Sequence, residues 1–157
     1  MKSAFGTFIL AVSLVSGVAQ GADSGPSASP APRDPAMDRY SSAAERQDWA
    51  GAAAAMKDAV SREPSNADFN NLYAYSLRKG KSPDMNLVFK HYNEALRLDP
   101  KHKGAHEYLG EAYLMVGNVA KAKEHLGVLD KLCFFSCAEF ADLKKAIAEH
   151  ESKSVKR

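Results

Sequence analysis

Between Lys103 and Leu126 the chain reads KGAHEYLGEAYLMVGNVAKAKEHL, and no other stretch limits the fold as much. Leu109, Ala112, Tyr113 and Val116 recur three or four residues apart, which puts them on one apolar helix face. Gly110 removes a side chain where a neighbouring helix must come close, and Gly117-Asn118 supplies a left-handed residue to end that helix. A second helix then offers Val119, Ala122 and Leu126 to the first, with small Ala122 at the closest approach. Such a hairpin cannot bury its own apolar face, so it needs similar neighbours.

The order Leu109-Gly110-x2-Tyr113, Gly117-Asn118, Ala122-x3-Leu126 resembles the tetratricopeptide (TPR) repeat, W-x2-L-G-x2-Y, A-x3-F, P over about 34 residues. His106 stands for the family's Trp and Leu126 for its Phe. In that frame Gln47-Asp48-Trp49 corresponds to Gly117-Asn118-Val119, and Ala52, Met56, Ala59 and Pro64 take the later positions of a first unit. Its partner helix is Ala36 to Arg46, with Met37, Tyr40, Ala43 and Ala44 inward and Arg39 in place of Leu. A second unit starts near Asn66, with Phe69 and Leu72 in phase, Tyr73 and Ser76 replacing Gly and Tyr, and Gly80 aligned with Gly117. Lys81-Ser82-Pro83 is an insertion before Asp84, which caps a helix carrying Met85, Val88, Phe89, Tyr92, Ala95 and Leu96. Phe140, Leu143 and Ile147 keep the phase of His106, Leu109 and Tyr113, and Ser136 with Glu139 forms a capping box ahead of them. The resemblance implies an all-α, right-handed α-solenoid: about three hairpins (36–65, 66–102, 103–136), then a solvating cap helix over 137–151. The tail Ser152 to Arg157 is expected to fray.

Ahead of the repeats, Met1-Lys2, the apolar run Ala4 to Val18 and Ala19-Gln20-Gly21 have the three-part form of a secretory signal peptide over 1–21. The run is short for a membrane span, and its brevity favours export to a bacterial periplasm. No membrane span is expected after cleavage. Residues 22–35, with four prolines among Ser and Ala, read as a disordered tether. The net charge of +2 becomes +1 without the leader, whose only charged residue is Lys2. That balance argues against a nucleic acid partner, and no Gly-rich phosphate loop occurs.

Cys133 and Cys137 bracket the turn before the cap helix, and in an exported chain two cysteines are most simply a disulfide. The alternative is copper or redox chemistry. Cys137 is expected in the first turn of a helix, where the dipole favours a thiolate, and soft sulfurs suit copper(I) with His125 or His150 as a third ligand. His102 and His106 have metal-ligand spacing, but a turn and a core position are expected for them. No catalytic signature appears, so no enzyme and no cofactor are expected.

The TPR resemblance also implies a protein or peptide partner, held on a concave wall built from the first helix of each unit. Carried over position by position, that wall is Ala67, Asn70, Asn71, Ala74, Leu77 and Arg78, then Gly104, Glu107, Tyr108, Glu111, Leu114 and Met115. Asn70 and Asn71 would bond a peptide backbone, Tyr108 and Met115 would supply apolar contact, and Arg78 would meet an acid. Glu107 and Glu111 replace the Lys and Asn of the basic clamp by which some members take a C-terminal carboxylate. The function expected is a periplasmic scaffold or assembly adaptor. The third reading is a structural protein that self-associates as a homodimer through its first repeat.

Overall fold

The computed structural model describes residues 34–135 and 137–155. The leader, all but the end of the tether, and the capping-box Ser136 lie outside them. Seven helices follow in order: α1 Pro35–Glu45, α2 Trp49–Arg62, α3 Ala67–Lys79, α4 Met85–Leu98, α5 Lys103–Met115, α6 Val119–Leu132 and α7 Ala138–Val155. No strand occurs among the described residues. Each helix packs on its successor, α1 on α2 through to α6 on α7, and α5 also touches α3 and α7. The molecule is an all-α helical repeat solenoid: three hairpins, α1–α2, α3–α4 and α5–α6, with α7 closing the last.

Local chemistry explains where the helices start. Asp34, Asp48, Asn66, Asp84 and Asn118 each accept a first-turn backbone N–H, and Pro35 sits where no donor is needed. His102 does the same for α5, its Nδ1 accepting from Ala105 N–H at 3.2 Å. The ends of α1 and α5 are matched. Gly117 (φ 75°) and Gln47 (φ 57°) are both left-handed. Gly117 N–H bonds Leu114 and Asn118 N–H bonds Tyr113, just as Gln47 bonds Ala44 and Asp48 bonds Ala43. Gly80, placed by alignment at the same point, is instead extended (φ −65°, ψ 167°). The insertion after it gives α3 a wider exit, so no left-handed residue is required there.

Packing follows the expected phase. Ala52, Ala59, Ala95, Ala105, Ala112 and Ala122 are fully buried, because helices approach closely where only a methyl stands. Gly110 is the tightest point: a β-carbon there would lie 2.6 Å from Leu143 Cδ2. Leu143 and Ile147 are buried against Leu114, Ala122 and Leu129, with Phe140 beside them, so α7 takes the place a fourth repeat would fill. Burying one such side chain contributes about 2 kcal/mol. Arg39, which replaces an apolar residue, faces outward and pairs with Asp58 at 2.8 Å, next to Arg62 with Asp34 at 2.9 Å.

Three boundaries need correction. The tether ends early, since Asp34 and Pro35 already cap and begin α1. The cap helix does not fray at Ser152 but continues to Val155, with Ser152 and Ser154 hydroxyls bonding the Glu149 and His150 carbonyls. Cys137 lies just before α7, where its carbonyl accepts from Ala141, and not within the first turn.

Candidate functional site

The expected wall lies on α3 and α5, but burial divides its members into two kinds. Asn70 is 1% exposed and belongs to the core. Its Nδ2 donates to the Pro64 and Asn66 carbonyls, both at 3.0 Å, and its Oδ1 accepts from His91 Nδ1 at 2.9 Å. All its capacity ties the α2–α3 turn to α4, so it cannot serve a peptide. Ala74 is wholly buried, Leu77 packs into both neighbouring clusters, and Leu114 joins the C-terminal one. Position five of a helix that faces its own hairpin partner is structural in this unit. The family's wall positions do not transfer there.

Arg78 also differs from expectation. Its Nη2 pairs with Glu111 at 2.6 Å, its Nε donates to the Tyr92 hydroxyl at 3.2 Å, and its guanidinium lies 5.4 and 5.7 Å from the Tyr75 and Tyr108 ring centres. The acid it meets is internal. Tyr92 is buried, and burial raises its hydroxyl's pKa.

What remains open is aromatic and acidic. Tyr108 and Tyr75 lie tilted with centres 4.6 Å apart, and both are half-buried. Tyr40 of α1 is near enough to influence both. Burial first, then Glu107, pushes the Tyr108 hydroxyl up to about 12. Trp49 meets Tyr75 edge-on at 5.6 Å, with Lys79 Nζ 5.5 Å from the indole, beside a cavity of about 560 Å³. Asn71 is 4% exposed and leans on Gly104, and its Oδ1 has no donor. Glu107 is 8% exposed. Burial, then Glu111, Asp142 and Glu139, hold its carboxyl up at about 7 against the opposing pull of Arg78. Met115 and neighbouring Val116 are about half exposed, at 52% and 49%.

Sequence reading missed Tyr75, Trp49, Glu139 and Asp142. Tyr75 falls outside the six inherited positions, and the two acids join the wall only because α7 packs back onto α5. It also missed Phe134 and Phe135, which are 94% and 88% exposed at the tip of the Cys133–Cys137 turn. Those cysteines form a disulfide with Cα atoms 5.7 Å apart. With both sulfurs bonded to each other, neither is a free thiolate for copper(I) in this form.

The histidines are structural too. His102 Nδ1 accepts at the α5 cap, so Nε2 carries the hydrogen donated to Asp68 Oδ1 at 3.0 Å. His106 Nε2 donates to the Pro100 carbonyl at 3.0 Å. In the neutral pair His106 Nδ1 then accepts, and His125 Nδ1 donates to it across 2.9 Å. Burial and His106 lower His125 to about 4. Among the described residues no three His, Cys, Asp or Glu side chains group as metal ligands, and no helix is long and apolar enough to cross a membrane.

Two tetratricopeptide-repeat family models match the chain, over residues 38–84 and 91–124. These are 47 and 34 residues, or 81 of the 157. Among solved structures, the chain is similar to the TPR2B domain of yeast Sti1, from a TPR2B-domain:pHsp70 complex. That match has a TM-score of 0.66 and 18% identity, covering 75% of this chain and 94% of that one. It is also similar to the Yersinia enterocolitica type III secretion translocator chaperone SycD, in an alternative dimer. Here the TM-score is 0.62 at 17% identity, with 80% and 96% of the two chains covered. At such identities the likeness carries the fold alone. No curated protein matches the sequence.

Proposed function

The chain belongs to the tetratricopeptide repeat family of protein-interaction modules, and from that premise we propose that it is an adaptor holding an extended peptide or partner helix along α3 and α5. The observation that carries this reading is the half-buried Tyr75–Tyr108 pair, whose ring centres lie 4.6 Å apart on the wall between α3 and α5. Rigid aromatic area of this kind is what anchors a bound segment. On this reading Asn71, Tyr75 and Tyr108 make the contacts, with Met115 at one edge, while Asn70, Ala74, Leu77 and Arg78 hold the wall in shape.

We further propose that the adaptor is exported and works in an oxidising compartment such as a bacterial periplasm. The form of residues 1–21 and the Cys133–Cys137 bond support this. It acts by what it holds, without converting it. Photocrosslinkers placed at Tyr108 and at Lys90, on exposed α4, test the binding reading in cells. A partner captured at 108, absent at 90 and lost in Asn71→Ala is the expected result. Equal capture at both positions would sink the idea.

Self-association is the second reading, favoured by the solvent-facing Phe134 and Phe135. Sedimentation of the full chain against Phe134→Ser decides it, since a dimer must weaken in the variant. The first repeat, the expected site of self-association, keeps Tyr40 packed onto its own core.

A further inference from the structure

If α3 and α5 hold an extended segment, as proposed above, the unpaired groups along them specify what it carries. Arg78 is engaged by Glu111 at Nη2 and Tyr92 at Nε, with its guanidinium over two aromatic rings. Glu107 has no such partner. It is nine-tenths buried, yet no protein N–H or O–H reaches its carboxylate. Among the described residues, Asn71 Oδ1 is the one sealed side-chain atom lacking a partner, so the Glu107 oxygens themselves meet open space.

Asn71 packs against Gly104, about one helical turn before Glu107 on α5. Tyr108 follows Glu107 directly and stacks on Tyr75. From α7, Asp142 and Glu139 add negative charge to the same place. Around Glu107 the wall therefore presents negative charge and aromatic faces, and Arg78, the cation that acts on Glu107, is itself paired with Glu111. The side chain is largely buried while its oxygens stay open, so a donor from outside can reach a carboxylate that burial has already stripped of much of its water.

We propose that this wall recognises a lysine or arginine side chain of an extended peptide, its charged head against Glu107 and its stem along the Tyr108 ring. Glu111, Glu139 and Asp142 strengthen the attraction, and Asn71, whose Oδ1 is sealed, offers only its Nδ2, as a donor to a peptide carbonyl. The selectivity is opposite to that of a basic clamp: an acidic tail meets four carboxylates here, with the local arginine already neutralised. Cation–π contact and a desolvated charge pair both favour the basic head. Glu107 titrates near 7 with Glu111 on its own helix, Asp142 and Glu139 from α7 and Arg78 from α3 around it. A seated cation favours the ionised form, so binding expels a proton and strengthens as pH rises through about 7.

Random nonapeptides displayed on phage, panned on the immobilised full chain and then resynthesised, provide the test. Calorimetry against the full chain, Tyr108→Ala and Glu107→Gln separates the outcomes. Recovered peptides should share one Lys or Arg and lose about tenfold in affinity when it becomes norleucine or citrulline. Glu107→Gln should bring a similar loss and abolish the rise with pH. The peptide-side replacement needs no change to the protein, so a misfolded variant cannot obscure the answer. Peptides lost in Tyr108→Ala but indifferent to their basic residue overturn the cation assignment and leave the groove intact. Peptides that bind Tyr108→Ala unchanged, or no recovered peptide at all, overturn both.

Discussion

The second and third hairpins place different side chains in the same slots, and their polar groups meet opposite fates. Position five is Asn70 in one and Glu107 in the other. Asn70 has three partners inside its own hairpin and turn. Glu107 has none and faces α7 across an acidic approach. Position four is Phe69 in one, part of an apolar cluster, and His106 in the other, half of a buried histidine pair. At this position the second hairpin satisfies its own polar group, while the third depends on what lies beyond it: α7 for its apolar face and, by our proposal, a ligand for its charge. A repeat position sets where a side chain points. Whether that side chain stabilises the fold or serves a partner depends on what the neighbouring helix offers it.

The largest effect expected from breaking this contrast is at the cap. Leu143→Ala should remove about 3 kcal/mol from unfolding in denaturant, through lost burial and a cavity against Gly110. A loss below 1 kcal/mol would mean that α7 does not complete the third hairpin. Next come two changes at position five, of similar size and opposite sign. Asn70→Ala should cost about 2 kcal/mol, since it orphans His91 Nδ1 and the Pro64 carbonyl. Glu107→Gln should instead stabilise, by an amount on the order of 2 kcal/mol above pH 7. If both destabilise, the proposed difference between the hairpins is gone.

The pH dependence sharpens the same point. Glu107 titrates higher in the folded chain, about 7 against its usual 4.5, so the fold binds more protons and loses stability as pH rises between those values. His125 titrates lower in the folded chain, about 4 against its usual 6.5, so stability falls as pH drops through that window. The two slopes oppose each other in the natural chain. Glu107→Gln should unmask a decline on acidification between 6.5 and 4, visible in the melting temperature, and His125→Gln should unmask the reverse. The smallest effect expected is at the matched turns. Gln47→Gly should gain roughly 0.5–1 kcal/mol by relieving a left-handed backbone, and Gly117→Ala should lose about as much.

Much of the architecture was legible because it is local. The caps from Asp48, Asn66, Asp84 and Asn118, the left-handed Gly117 and the small residues at the crossings depend on neighbours a few positions away or on a periodic face. Even the role of Phe140, Leu143 and Ile147 follows from phase alone. The site was legible only in outline. Of the expected wall, Tyr108 stays half-buried, while Asn70, Ala74, Arg78 and the oxygen of Asn71 are taken up by the fold.

The amino-acid order by itself determined seven helices, their pairing and the chemistry available on each face, since backbone hydrogen bonds and apolar periodicity act over short separations. Only the tertiary structure decided which polar groups stay unpaired. That depends on residues far apart in the chain: Arg78 paired with Glu111, Asn70 bonded to His91, Glu107 repelled by Asp142. A charge's energy depends on which partner reaches it and how far water is excluded, and neither quantity is written in any one helix.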